Sequence, residues 1–277
     1  MKNSPVSKNV FALISFAVLL SSCGGGKYAA TNKIYKSQAR AYAKIIEATP
    51  PLNQGSETIP ANQQAWVGSV NFGLRKPNFV ILHHTAQKST EQTINTFILA
   101  RTQVSAHYII GRDGKVIQMV NDYLRSHHAG AGKWGNDTDL NSSSIGIELD
   151  NTGSEPYPDA QINSLLEVLA ALKKKHNIPV ANFIGHSDMA PGRKQDPNMF
   201  PWKTLAEKGF GYWYDAILIT PSDTFDTKAA LRIIGYDVSN LPAAITAFKR
   251  HFIQTDISPA LTPYDKQVLF SLYRKYL

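Results

Sequence analysis

From Asn78 to His186, short apolar runs of strand length alternate with stretches of helical periodicity, and this alternation restricts the chain to an α/β architecture. Phe79-Val80-Ile81-Leu82 is the first run. Ile109-Ile110 and Val116 to Val120 flank Gly111-Arg112-Asp113-Gly114, whose Asp-Gly pair signals a hairpin. Ile145, Ile147 and Leu149 alternate with Gly146 and Glu148, the period of a strand. Phe183-Ile184 makes a last short strand leading into Gly185-His186. Helical spacing lies between: Thr90 to Ala100 sets Ile94, Phe97 and Ile98 along a face. Asp159 to His176 carries Ile162, Leu165, Leu166, Leu169 and Leu172 before Pro179 stops it. Lys173-Lys174-Lys175 places favourable charge at that helix's C-terminus. The hairpin puts an antiparallel pair beside otherwise parallel strands, so the expected fold is a central mixed β-sheet flanked by helices. After Trp213 the texture turns helical over Thr227 to Gly235, Pro242 to Phe252 and Pro263 to Leu277. These segments predict a small C-terminal three-helix domain, with Thr262-Pro263-Tyr264-Asp265 as a strong helix start.

The first 22 residues read as an export signal: Lys2 and Lys8 precede Val10 to Leu20, an apolar run interrupted only by Ser15. That run is shorter than the about 20 apolar residues of a membrane span. Cys23 is the single cysteine, follows Leu19-Leu20-Ser21-Ser22 and precedes three glycines, a pattern resembling the lipobox of bacterial lipoproteins. It implies acylation at Cys23, a lipid anchor in the cell envelope, and no cysteine left as a nucleophile. Gly24 in place of an acid points to the outer membrane, facing the periplasm. Residues 23–76 are read as the anchor and a tether, with a helix from Ile34 to Ala48 and a turn-rich stretch through Pro50-Pro51 and Pro60 to Gln64. The main domain is expected over 77–213 and the helical one over 214–277. The formal net charge is +8, and +6 without Lys2 and Lys8. Its Lys and Arg are scattered, with no basic run interleaved with aromatics, which argues against a nucleic-acid partner.

Three strand ends deliver polar groups that a plain core disfavours. His83-His84 follows the first apolar run. On a strand Phe79, Ile81 and His83 share one face and Val80, Leu82 and His84 the other, so one of the pair at most readily joins a given site. Spacing alone does not choose between them. Glu148 shares its strand face with Gly146, which leaves space beside the carboxyl. An acid in so apolar a strand needs a nearby cation or a raised pKa, both suited to a general base at a metal. The loop from His186 to Asp196 contains the Pro191-Gly192 turn, so it can bring both residues to one point, with Lys194 two positions from Asp196. Two imidazoles and a carboxylate suit Zn²⁺ and leave a fourth position for water.

At these residues the chain resembles the type 2 N-acetylmuramoyl-L-alanine amidases, which include phage endolysins and animal peptidoglycan-recognition proteins. The resemblance spans about 77–210. It rests on Ile81-Leu82-His83-His84-Thr85-Ala86, Ser105-Ala106-His107-Tyr108, Ser144 to Glu148 and the His186 to Asp196 loop. It implies one zinc ion held by His83, His186 and Asp196, with Glu148 and Lys194 catalytic. His84 lies beside the site, and His84 and His128 are read as substrate-binding. His127-His128-Ala129-Gly130 stands where relatives often read Trp-His-Ala-Gly, so a stacking role at that first position is lost. Some phage relatives carry a tyrosine at the position of Ala106, which leaves Glu148 the more necessary base. The segment Ala229 to Phe252 resembles helical peptidoglycan-binding domains. The implied activity is hydrolysis of the lactyl–L-alanine amide by a monomer acting on peptidoglycan or muropeptides. The competing reading is a recognition protein that binds the same material without cutting it.

Overall fold

The computed structural model describes residues 26–48 and 74–277. The expected signal at 1–22, Cys23 and the turn-rich stretch from Pro50 to Gln64 lie outside the described residues. The chain divides into two compact units, 1–70 and 71–277. In the first, helix α1 runs over Ala29–Ala48, starting earlier than Ile34, and buries none of its residues.

The second unit is built on five strands: β1 (Phe79–His84), β2 (Tyr108–Ile110), β3 (Val116–Gln118), β4 (Ser144–Leu149) and β5 (Phe183–Gly185). Their order is β3-β2-β4-β1-β5. β1 pairs in parallel with β4 and β5, β2 pairs in parallel with β4, and only β2–β3 is antiparallel. The sheet is therefore mixed, as the Asp113-Gly114 hairpin predicts, and Gly114 takes the positive φ of +81° that the turn requires. β3 ends at Gln118 rather than Val120 because the Met119 and Val120 amides both turn to the His107 carbonyl.

Strand alternation sorts the side chains into two cores. Val80, Leu82, Ile145, Ile147 and Leu149 pack with Ile162, Leu165, Leu169 and Leu172 of α4 (Asp159–His176). The α4 stripe recurs at helical spacing, so one face of the helix covers one face of the sheet. α4 ends where Asn177 adopts a left-handed φ of 54°. Its terminal lysines have specific acceptors in addition to the helix end: Lys175 Nζ donates to Asp122 Oδ2 at 2.7 Å and Lys173 Nζ to the Gly209 carbonyl at 2.7 Å. The helix after β1, α2 (Thr90–Phe97), stops short of Ala100, because Ala100–Thr102 tightens into a 3₁₀ turn held by the Thr102 hydroxyl.

The other sheet face contributes Ile81 and Ile184. They join Ala129, Leu140 of α3 (Leu140–Ser143) and Met189 of α5 (His186–Met189) in a second core. That core also contains Leu231 and Ile234 of α7 (Thr227–Ile234), Phe248 and Phe252 of α8 (Leu241–Phe252), and Leu269 and Leu272 of α9 (Pro263–Tyr276). The short helix α6 (Trp202–Glu207) lies on the α4 side. The three C-terminal helices occur where the sequence predicts them, and Thr262 caps α9 by accepting from the Asp265 amide while Asp265 accepts from the Thr262 amide. The boundary expected after Trp213 does not separate two cores, however. The apolar faces of α7, α8 and α9 are closed by the sheet as well as by one another, so residues 71–277 form one compact unit.

Candidate active site

The C-terminal ends of β1, β4 and β5 lie side by side, which brings His83, Glu148 and His186 to one edge of the sheet. In the β1–β4 register His83 stands opposite Glu148. His186 follows β5 directly as the first residue of α5. The loop beyond α5 returns Asp196, and the Ser187 amide bonds to the Asp196 carbonyl at 2.8 Å, closing it. His83 Nδ1 and His186 Nδ1 are 2.9 Å apart, and Asp196 Oδ2 lies 3.1 and 2.9 Å from them. The structure thus selects His83 over His84. His84 points to the opposite strand face, accepts at Nδ1 from the Asn198 amide at 3.1 Å, and still borders the same cleft.

The hydrogen-bond network assigns the proton on each ring. The Ser144 hydroxyl donates to the Leu140 carbonyl, so its oxygen accepts from His128 Nε2 at 3.2 Å. His128 then presents a bare Nδ1, which accepts from His83 Nε2 at 3.0 Å. His83 keeps its proton there and turns its Nδ1 lone pair inward. His186 does the same by donating from Nε2 to the Ala129 carbonyl at 2.9 Å. Burial first, and His186 beside it second, push His83 down to about 4, so its ring is neutral near neutral pH. Asp196 turns its Oδ2 to the same point, 3.1 and 2.9 Å from those two nitrogens. Three lone pairs therefore meet with no proton among them, which is repulsive unless a cation lies between. Their spacing is close to the about 3.3 Å edge of a tetrahedral zinc site with N and O ligands. The residues fit such an ion, and among the described residues they form a group that could hold one.

Glu148 is the other unusual group. Its Oε2 is shut from solvent and has no hydrogen-bond partner. Burial, reinforced by Asp196 and opposed by Lys194, pushes the carboxyl up to about 8. The open space expected beside Gly146 does not exist: a Cβ there would lie 2.3 Å from His128 Cγ, so the glycine makes room for that ring. Lys194 lines the cleft with His83, His84, His128, Glu148, His186 and Asp196, in a hollow of about 270 Å³. His127, at the position where relatives often carry tryptophan, is exposed on the rim.

Several participants were not singled out by the sequence reading. Ser144 and the Ala129 carbonyl set the imidazole tautomers. Arg193 donates to that same carbonyl at 2.9 Å. Asp188 accepts from the Gly185 amide, from Tyr236 Oη and from His251 Nδ1, tying α5 to the C-terminal helices. Ser144 sits at the start of a readable strand, but its partners come from elements distant in sequence, so nothing local marks it.

Residues 73–199 match the family described as N-acetylmuramoyl-L-alanine amidase. The chain carries an amidase domain of this family. Along nearly its whole length it is also similar to the N-acetylmuramoyl-L-alanine amidase AmiD of Escherichia coli (strain K12), at 28% identity over 97% of this chain and 99% of that one. The 1,6-anhydro-N-acetylmuramyl-L-alanine amidase AmpD of Enterobacter cloacae is 38% identical over 45% of this chain and 63% of its own length. Among solved structures, the E. coli AmiD complex with anhydro-N-acetylmuramic acid-L-Ala-D-gamma-Glu-L-Lys superposes with a TM-score of 0.65 at 27% identity, covering 80% of this chain and 97% of that one. AMPDH3 from Pseudomonas aeruginosa in complex with anhydromuramic pentapeptide gives 0.67 at 28% identity, covering 80% and 99%. Both structural likenesses extend past the amidase domain, in keeping with the single compact unit.

Proposed function

We propose that the chain hydrolyses the amide between the N-acetylmuramic acid lactyl group and L-alanine in peptidoglycan or muropeptides, with one zinc ion held by His83, His186 and Asp196. The observation that carries this reading is the meeting of three unprotonated donors beside Glu148, whose Oε2 is buried and unpartnered. A zinc ion held there supplies a Lewis acid that polarises an amide carbonyl and acidifies water. Glu148 takes a proton from the attacking water and returns it to the nitrogen of the leaving alanine. Lys194, on the wall of the same cleft, offers positive charge to the oxygen that becomes anionic. His84 keeps its Nε2 for substrate. His128 has both ring nitrogens committed to protein partners, so it contributes a ring edge to the substrate and chiefly orients His83. Anhydromuramyl peptides bound by AmiD and AMPDH3 support this substrate class.

Acylation at Cys23 anchors the enzyme to the envelope, at the outer membrane and facing the periplasm, in the same proposal. The test is to incubate purified protein with muropeptides and with sacculi and to identify released L-alanyl peptides by mass. Chelation abolishes release and added zinc restores it. Tight binding of muropeptides with no released peptide, in protein carrying stoichiometric zinc, supports the non-catalytic recognition reading instead.

A further inference from the structure

The proposed reaction leaves α1 without a role. At about 3.6 residues per turn, Ile34, Ala41, Tyr42 and Ile45 fall on one side of this 20-residue helix. Lys33, Lys36, Arg40 and Lys44 fall on the other and are exposed. The apolar side is open to water: Ile34 is 58% exposed, Tyr42 56%, Ile45 58% and Ile46, at its margin, 75%. A stripe this apolar and this uncovered needs an occupant. Among the described residues no helix is long and apolar enough to cross a membrane, and four cations along one side exclude a spanning role for this one.

We infer that α1 is a membrane-surface helix, lying flat on an anionic lipid bilayer with its apolar stripe at the headgroup–acyl boundary. The charge pattern selects this occupant: four cations against the single acid Glu47 complement anionic headgroups, and long lysine and arginine stems reach the phosphate level from a helix lying in the interface. The sequence position agrees. Cys23 precedes the helix by six residues, so an acyl chain there holds α1 at the bilayer. The helix's own affinity does not depend on acylation.

The test uses the chain from residue 23 onward carrying Cys23→Ser, so that no acyl chain contributes. Vesicles of phosphatidylethanolamine with phosphatidylglycerol are compared with vesicles of phosphatidylcholine by co-sedimentation. Binding is expected to favour the anionic vesicles by about tenfold or more and to weaken steeply at about 0.5 M salt. Ile34→Asp with Ile45→Asp lowers it by about tenfold, as does Lys36→Glu with Arg40→Glu, while hydrolysis of a soluble muropeptide is unchanged. Ile34→Ala with Ile45→Ala keeps helix propensity and still weakens binding, which separates loss of the stripe from loss of the helix. Equal binding by all variants overturns the inference. So does a dimer, or affinity for purified peptidoglycan, that the same substitutions abolish, because the stripe then serves a second copy or the wall. Acylation of Cys23 is read separately, from the mass of protein isolated from membranes.

Discussion

Glu148 and Asp196 are two carboxyls in one cleft, fitted to different tasks by their surroundings. Burial pushes Glu148 up to about 8, whereas Asp196 sets its Oδ2 against the Nδ1 atoms of His83 and His186. The first is suited to carry a proton and the second to hold a cation. Glu148→Gln keeps the shape and removes the proton carrier. It is expected to lower turnover by about 10²–10⁴-fold while zinc content, measured by elemental analysis, stays at one per chain. The relay from Leu140 through Ser144 and His128 to His83 makes a second prediction. In Ser144→Ala the His128 Nε2 loses its acceptor, the His83 tautomer is no longer dictated, and zinc affinity falls by about 10–100-fold in competition with a chromophoric chelator. Gly146→Ala displaces the His128 ring and has the same effect. Unchanged affinity in both variants removes the orienting role from His128.

The elements around the cleft are tied together by groups that the sequence pattern leaves unmarked. Asp122, on the loop after β3, is almost wholly buried and accepts from Tyr108 Oη of β2 at 2.7 Å, Lys175 Nζ of α4 at 2.7 Å and His176 Nε2 at 3.0 Å. Burial alone raises its pKa, but bonds from Lys175, Tyr108 and His176 outweigh it and bring the carboxyl to about 2. A depressed folded-state pKa contributes stability that is fully present above the unfolded value of 3.8 and is lost as pH falls toward about 2. Asp122→Asn is therefore expected to cost about 2 kcal/mol at neutral pH and to flatten the stability slope between those two pH values, followed by denaturant unfolding. The lysines at the end of α4 place favourable charge at a helix terminus, and the fold gives Lys175 a buried acceptor as well. That acceptor is 53 positions away, beyond the reach of local pattern.

At the scale of the molecule, the sheet's second face is closed by α7, α8 and α9, with Ile81 and Ile184 in the same core as Leu231, Phe248 and Leu269. Asp188, two residues from His186, is held by Tyr236 and His251 from that helical side. Removing 214–277 therefore exposes one whole face of the sheet and frees α5. The truncated protein is expected to aggregate, or to unfold without cooperativity, in calorimetry rather than behave as an independent amidase domain. A soluble, zinc-loaded and active fragment would show that the two sides are separable.

The sequence by itself determined what depends on near neighbours. A short apolar run placed β1, period-two alternation placed β4, strand geometry put His83 and His84 on opposite faces, helical spacing placed α4, and Thr262-Pro263 started α9. It also brought forward Glu148 and His186, because polar groups in or at the ends of apolar strands are costly without a partner, and Lys194 and Asp196 through the Pro191-Gly192 loop that follows. Tertiary structure alone decided where each ring carries its proton and that the C-terminal helices share the sheet's core. Each of those depends on atoms brought together across a parallel sheet from distant parts of the chain. His83 and His186 are separated by 103 positions, and the nitrogens that define the site are 2.9 Å apart.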